Sequence, residues 1–190
     1  KLKEKITESN ILKTLFPNEF TENVFRYDYM LDKIFSGKVL LCDYPRNSVF
    51  LQEELGDRIK ENLNLKGKKI IAYMPTWRGA QRNADIKVQI DQLQKYFDEL
   101  DQKLDENEEF YVNLHFLIGN IMDFSGYKHI HSFPSQYETY DFLTACDLLV
   151  TDYSSVFFDY AVTNRKVILF PYDYEEYMAE RGTYMTLESL

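Results

Sequence analysis

Val150-Thr151-Asp152-Tyr153-Ser154-Ser155-Val156-Phe157-Phe158-Asp159-Tyr160 is the stretch whose reading decides the fold. Leu148, Leu149 and Val150 make a short apolar run of strand type, and the polar residues after it break the strand into a helix. Asp152 is a good N-cap by type, which places Ser154 and Ser155 in a first turn whose backbone N–H groups lack intrahelical partners. Free donors and the positive end of a helix dipole attract an anion. Asp159 lies four residues beyond Ser155 and seven beyond Asp152, a spacing that puts the three on one helix face. The stretch therefore reads as a seat for phosphate and points to a nucleotide-linked substrate.

Outward from this stretch, short β-rich runs alternate with helical periodicity, the pattern of parallel strands joined by helical crossovers. Strands are expected over 38–43, 69–74, 110–115, 127–133, 148–151 and 166–170. Leu51, Leu55, Ile59 and Leu63 recur at helical spacing, as do Leu93, Phe97, Leu100 and Leu104. Further helices are expected over 137–146, 153–163 and 172–181, the last ended by Gly182. The fold class that follows is α/β, a doubly wound, Rossmann-like parallel sheet. In such sheets ligands sit beyond the carboxyl ends of the strands, near the point where strand order reverses. Arg46, Thr76-Trp77-Arg78, His115 and Ser154-Ser155 each follow a strand, so separate loops converge on one sheet edge. Residues 1–35 show helical patches at Ile11, Leu12, Leu15 and Phe16, interrupted by Pro17, and Gly37 marks the expected boundary between a helical lead-in (1–37) and the sheet domain (38–190).

Four segments carry a family resemblance. Asp152-Tyr153-Ser154-Ser155 with Asp159, followed by Lys166 to Phe170, Tyr172-Asp173, Glu176-Tyr177 and Arg181-Gly182, resembles the C-terminal half of the CDP-glycerol glycerophosphotransferases, which polymerise or prime teichoic acids. Tyr73-Met74-Pro75-Thr76-Trp77-Arg78 looks like that family's YMPTWR element, and Tyr44-Pro45-Arg46-Asn47 resembles its GYPRND element, with Asp43 and Ser48 in place of Gly and Asp. Where the family has a catalytic His within Lys-x-His-Pro, this chain reads Asn113-Leu114-His115-Phe116. The match spans about residues 38–185 and leaves residues 1–37 without a motif.

The resemblance implies the nucleotide-binding half of a two-domain GT-B enzyme, a truncated piece of something longer. The whole would move glycerol phosphate or ribitol phosphate from CDP-glycerol or CDP-ribitol to a polymer hydroxyl, releasing CMP, with no cofactor. His115 is then the catalytic residue. The substrate-binding set is Arg46, Pro75, Thr76, Trp77, Arg78, Asn113, Leu114, Asp152, Ser154, Ser155 and Asp159. The serines and Asp159 would contact the CDP-alditol, and Arg46 would reach the nucleotide. Pro75 and Thr76 would line the donor pocket, whereas Trp77 either stacks on cytosine or fills the core. The general base belongs to a His-Gly element absent here, so the fragment alone should bind donor and turn over little. A lipid-linked polyol-phosphate or glycan acceptor would bind the missing domain, at the cytoplasmic face of the cell membrane.

Composition narrows the field independently. With 190 residues, 45% hydrophobic and 16% aromatic, the chain is globular and long enough for one well-buried core. A net charge of −9 argues against a nucleic-acid binder held by phosphate contacts. Residues 91–109 hold eight acids against two lysines, which reads as a solvated helix face. Cys42 and Cys146 sit among apolar neighbours and read as small core residues in a reducing compartment. His129 and His131 lack a carboxylate or cysteine at metal-ligand spacing, so no metal site is expected. No signal peptide or membrane-length apolar run appears. Two rivals stay open: a sugar-nucleotide glycosyltransferase or epimerase of the same fold, and a non-catalytic interaction module.

Overall fold

The computed structural model describes residues 13–76, 83–119 and 121–184. The chain forms two compact units that part between Ser48 and Val49 rather than at Gly37.

In the smaller unit, β1 (Lys13–Phe16) pairs in parallel with β2 (Lys38–Leu41), Lys13 opposite Lys38 and Phe16 opposite Leu41. Two helices, α1 (Glu19–Tyr27) and α2 (Leu31–Ile34), make the crossover between them. Asn18 caps α1, its side chain accepting from the Thr21 N–H at 2.9 Å. This arrangement corrects two expectations. Leu15 and Phe16 are strand, not helix, and Lys38–Leu41 belongs to this two-stranded sheet rather than opening the main one. Pro17 pushes the residue before it into extended backbone, and a four-residue segment is too short to carry a period that separates strand from helix. Ile11 and Leu12 lie outside the described residues.

The larger unit is built on five parallel strands, β3 (Lys69–Met74), β4 (Glu108–Val112), β5 (Ile130–Ser132), β6 (Leu148–Thr151) and β7 (Lys166–Leu169), in the order β5-β4-β3-β6-β7. The connecting helices are α3 (Glu53–Asn62), α4 (Asn83–Asp101), α5 (Phe116–Gly119), α6 (Thr139–Leu143), α7 (Val156–Tyr160) and α8 (Tyr174–Glu180). Ile59 of α3, Phe142 and Leu143 of α6 and Tyr160 of α7 pack with Ile70, Ala72 and Leu149 of the sheet. Phe97 of α4 and Ile118 of α5 pack with Ile71, Tyr73, Phe110 and Ile130 in a second cluster. Ile70 and Ile71, adjacent on β3, point to opposite faces, so helices cover both sides of the sheet. The doubly wound α/β fold expected from the alternation is the fold adopted. The central strands β3 and β4 are buried on both faces, which is why β3 reads as a continuous apolar run.

One close approach fixes the layer spacing. A Cβ at Gly56 of α3 would stand 2.3 Å from the Thr144 carbonyl oxygen, so only glycine fits where α3 meets the chain leaving α6. Arg165 donates from Nη1 to the Thr144 and Cys146 carbonyls, both at 2.6 Å, and Tyr160 Oη donates to the Cys146 carbonyl at 2.7 Å. Burial pushes both the Cys146 thiol and the Tyr160 hydroxyl up, which keeps them neutral hydrogen-bonding groups of the interior.

Several elements are shorter than their sequence patterns. β4 ends at Val112 and β5 spans three residues. The helix expected over 153–163 starts at Val156 and tightens into a 3₁₀ turn at Ala161–Thr163. Cys42 is exposed, correcting its expected core role, while Cys146 is buried. The acidic stretch is only partly a solvated helix face. Asp98 accepts from Tyr127 Oη at 3.0 Å, Asp101 accepts the Lys128 and His129 N–H groups at 3.0 and 2.7 Å, and Glu109 on β4 faces His131 Nε2 at 2.8 Å.

Candidate functional site

Strand order reverses between β3 and β6: β4 and β5 extend the sheet from one side of β3, β6 and β7 from the other. The main chain splits apart at that point, and the carboxyl ends of β3 and β6 open a crevice. Asp152, just past β6, spans it. Its Oδ1 accepts the Thr76 N–H at 2.8 Å and the Tyr153 N–H at 2.6 Å, and the residue is only 1% exposed. Thr151 adds a second tie, donating from Oγ1 to the Met74 carbonyl at 2.6 Å. Asp152 is therefore a strap across the switch point and not the helix cap its type suggested. Two N–H groups facing one buried carboxylate make charge-assisted bonds stronger than capping a five-residue helix offers.

The loop carrying the serines is held from its other side by aromatic packing. Tyr153 stacks on Tyr177 of α8 with ring centroids 3.7 Å apart and planes 11° from parallel, and its Oη donates to Asp173 at 3.2 Å. Asp173 is the N-cap residue of α8. Ser155 occupies the N-cap position of α7 without a side-chain cap bond, and Ser154 Oγ accepts the Val156 N–H at 3.4 Å. Ser154 is half-buried and Ser155 exposed, so both can face a ligand. With α7 this short, a dipole adds little, and the loop's hydroxyls and N–H groups supply what the site offers an anion.

Asp159 does not share a face with Asp152 and Ser155 as the spacing implied, because Asp152 lies outside the helix. Asp159 is 3% exposed and accepts from Tyr140 Oη at 2.6 Å. Tyr140 lies on α6, whose first residue, Thr139, accepts from Asn113 Nδ2 at 3.4 Å. The start of α6 thus joins the loop after β4 to α7.

Pro75, Thr76, Leu114 and His115 line one cleft, with Gln89, Leu93 and Tyr96 of α4 opposite. His115 stands three residues past the end of β4, not at the strand's tip as expected, and its carbonyl accepts the Ile118 and Gly119 N–H groups that open α5. Of the expected set, the cleft brings together His115, Pro75, Thr76 and Leu114. Asp152 reaches it through Thr76, while Asn113, Ser154, Ser155 and Asp159 do not line it. Arg46 belongs to the smaller unit, where its guanidinium lies 4.1 Å over the Tyr44 ring. Trp77 and Arg78 lie outside the described residues. Sequence reasoning missed Tyr140 and gave Tyr153 and Tyr177 no share in holding the serine loop. A tyrosine beside the serines and another one helix onward is the only trace of that stack in the sequence.

Comparison with known proteins gives these positions a context. The chain is 34% identical to the teichoic acid poly(glycerol phosphate) polymerase of Staphylococcus epidermidis, a match over 89% of this chain and 24% of that protein. It is 31% identical to the teichoic acid glycerol-phosphate primase of Bacillus subtilis, over 87% of this chain and 41% of the relative. Among solved structures it is similar to the wall teichoic acid polymerase TagF, with a TM-score of 0.77 and 31% identity over 95% of this chain and 44% of TagF. A TagF variant soaked with CDPG gives a TM-score of 0.73 at 33% identity, over 93% of this chain and 42% of that one. The chain thus spans less than half the length of these relatives. Residues 2–190 match the family model described as CDP-glycerol:poly(glycerophosphate) glycerophosphotransferase, and the chain belongs to that family.

Proposed function

We propose that the larger unit is the donor-binding domain of a transferase. The whole enzyme moves glycerol phosphate, or ribitol phosphate, from CDP-glycerol or CDP-ribitol to a hydroxyl of a teichoic acid or capsular polymer. The acceptor oxygen attacks the alditol-linked phosphorus, the bond from that phosphorus to the bridging oxygen breaks, and CMP leaves. Phosphoryl transfer of this kind runs on positioning and on neutralising charge that builds on the diphosphate. In this reading Ser154 and Ser155 hold the diphosphate, His115 stabilises the charge of the departing CMP, and Pro75, Thr76, Leu114 and Asn113 shape the pocket. Trp77 and Arg78 complete the donor contacts of this unit, and the buried Asp152 and Asp159 hold its loops in place. The smaller unit leads in from the preceding domain, which binds a lipid-linked acceptor at the inner face of the cell membrane.

One observation carries the reading: the Thr76 N–H to Asp152 bond joins two motif loops far apart in sequence at the switch point of one parallel sheet. Family membership supplies the donor class, and relatives named for glycerol phosphate and for ribitol phosphate polymers support both alditols. Titration calorimetry with CDP-glycerol, CDP-ribitol, CMP and a UDP-sugar tests it. The expected result is binding of the cytidine ligands, weakened about tenfold by Ser155→Ala. Tight UDP-sugar binding with indifference to cytidine would refute it.

A further inference from the structure

The cleft between α4 and the carboxyl ends of β3 and β4 has an unusual lining. Its residues are Tyr73, Pro75, Thr76, Gln89, Gln92, Leu93, Tyr96, Leu114, His115, Ile118 and Tyr172. Among the described residues it contains no Asp, Glu, Lys or Arg, in a chain that is 28% charged. Gln89, Gln92 and Tyr96 recur at i, i+3 and i+7 on α4 and so share one face. Gln89 is half-buried and Gln92 exposed, and neither amide is engaged in a hydrogen bond among the described residues. Tyr96 and Tyr172, 46% and 47% exposed, set aromatic rings at the rim.

Such a surface is poorly suited to a diphosphate, which calls for cations or clustered N–H donors. It suits a neutral polyol. Each glutamine amide offers two donors and a carbonyl acceptor, matching hydroxyls that both give and take hydrogen bonds. Tyrosine rings meet C–H faces with apolar area while their hydroxyls stay wet. His115 shares this wall, so a polyol lodged here would hold its attached phosphorus beside the imidazole.

We infer that this cleft is the alditol pocket, with Gln89 and Gln92 reading the hydroxyls of the donor's polyol while the nucleotide diphosphate rests on the serine loop. The inference rests on the donor-binding reading and adds which residues recognise the part of the donor that is transferred.

The test compares CDP-glycerol with CDP on the full chain, wild type against Gln89→Ala/Gln92→Ala. CDP lacks the polyol and serves as the control for folding and for the diphosphate seat. The expected result is tighter wild-type binding of CDP-glycerol than of CDP, with the double variant losing about tenfold or more toward CDP-glycerol and less than about twofold toward CDP. An unchanged CDP-glycerol affinity in the variant, an equal loss for both ligands, or a wild type that binds the two alike overturns the pocket assignment and leaves the donor reading standing. A wild type that binds neither ligand overturns both.

Discussion

Asp152 shows how one side chain can tie two loops together at the switch point of a sheet. Its carboxylate is buried and satisfied by N–H groups from two loops, so removing it leaves those donors unpaired in a place water reaches poorly. An orphaned buried donor costs roughly 1–3 kcal/mol. Asp152→Ala is therefore expected to lower stability by about that much in urea unfolding, and an unchanged midpoint would remove the strap from the account. The sequence marked Asp152 by its place directly after a strand, which is where the structure has it. It could not give the role, because capping and cross-strand bridging use the same residue type and differ only in which N–H groups the fold brings near. Asp159 carries the same lesson: helical spacing gives a face, but burial and the Tyr140 hydroxyl settle where that face points.

At the scale of elements, the long strands and the one long helix were legible because period and length agree over many residues. α4 runs from Asn83 to Asp101 with Leu93, Phe97 and Leu100 on its packed side, as the apolar stripe implies. The short pieces were not. Lys13–Phe16 and Lys38–Leu41 are four residues each, and only pairing with one another makes them a sheet. The joint between the end of α4 and β5 also hides in sequence, since an acid at a helix end reads as solvated. Burial acts to raise the Asp101 carboxyl pKa, but the Lys128 and His129 N–H donors outweigh it and hold the value below its ordinary 3.8. A depressed folded value means the bonds contribute fully above the unfolded pKa and are lost as pH falls through the folded one. Thermal melts between about pH 6 and 3 should show the wild type losing stability below about pH 4, with Asp101→Asn less stable at pH 6 and flatter toward acid. Parallel melting curves for the two proteins would contradict this.

At the scale of the whole molecule, alternation of strand and helix determined the sheet, and the sheet's switch point determined where the loops after β3 and β6 meet. The sheet edge was readable because right-handed crossovers leave few ways to order parallel strands. The division into units was not, because a boundary depends on which strands pair, and Lys38–Leu41 pairs outside the main sheet. No helix among the described residues is long and apolar enough to cross a membrane. The larger unit offers two places of very different chemistry to an anion. One is the serine loop beyond β6 that we propose as the diphosphate seat; the other is a hollow lined by Lys60, Lys66, Lys68 and Lys69 together with Asp57, Glu61 and Asp147. Lys60 is paired with Asp147 and Lys68 with Glu109, so that hollow's charge is largely matched already. The most direct measurement is a crystal structure of the full chain soaked with CDP-glycerol. The account predicts diphosphate oxygens within hydrogen-bond distance of Ser154 and Ser155, with the glycerol directed toward His115; a diphosphate seated among the lysines, with the serine loop empty, would contradict it.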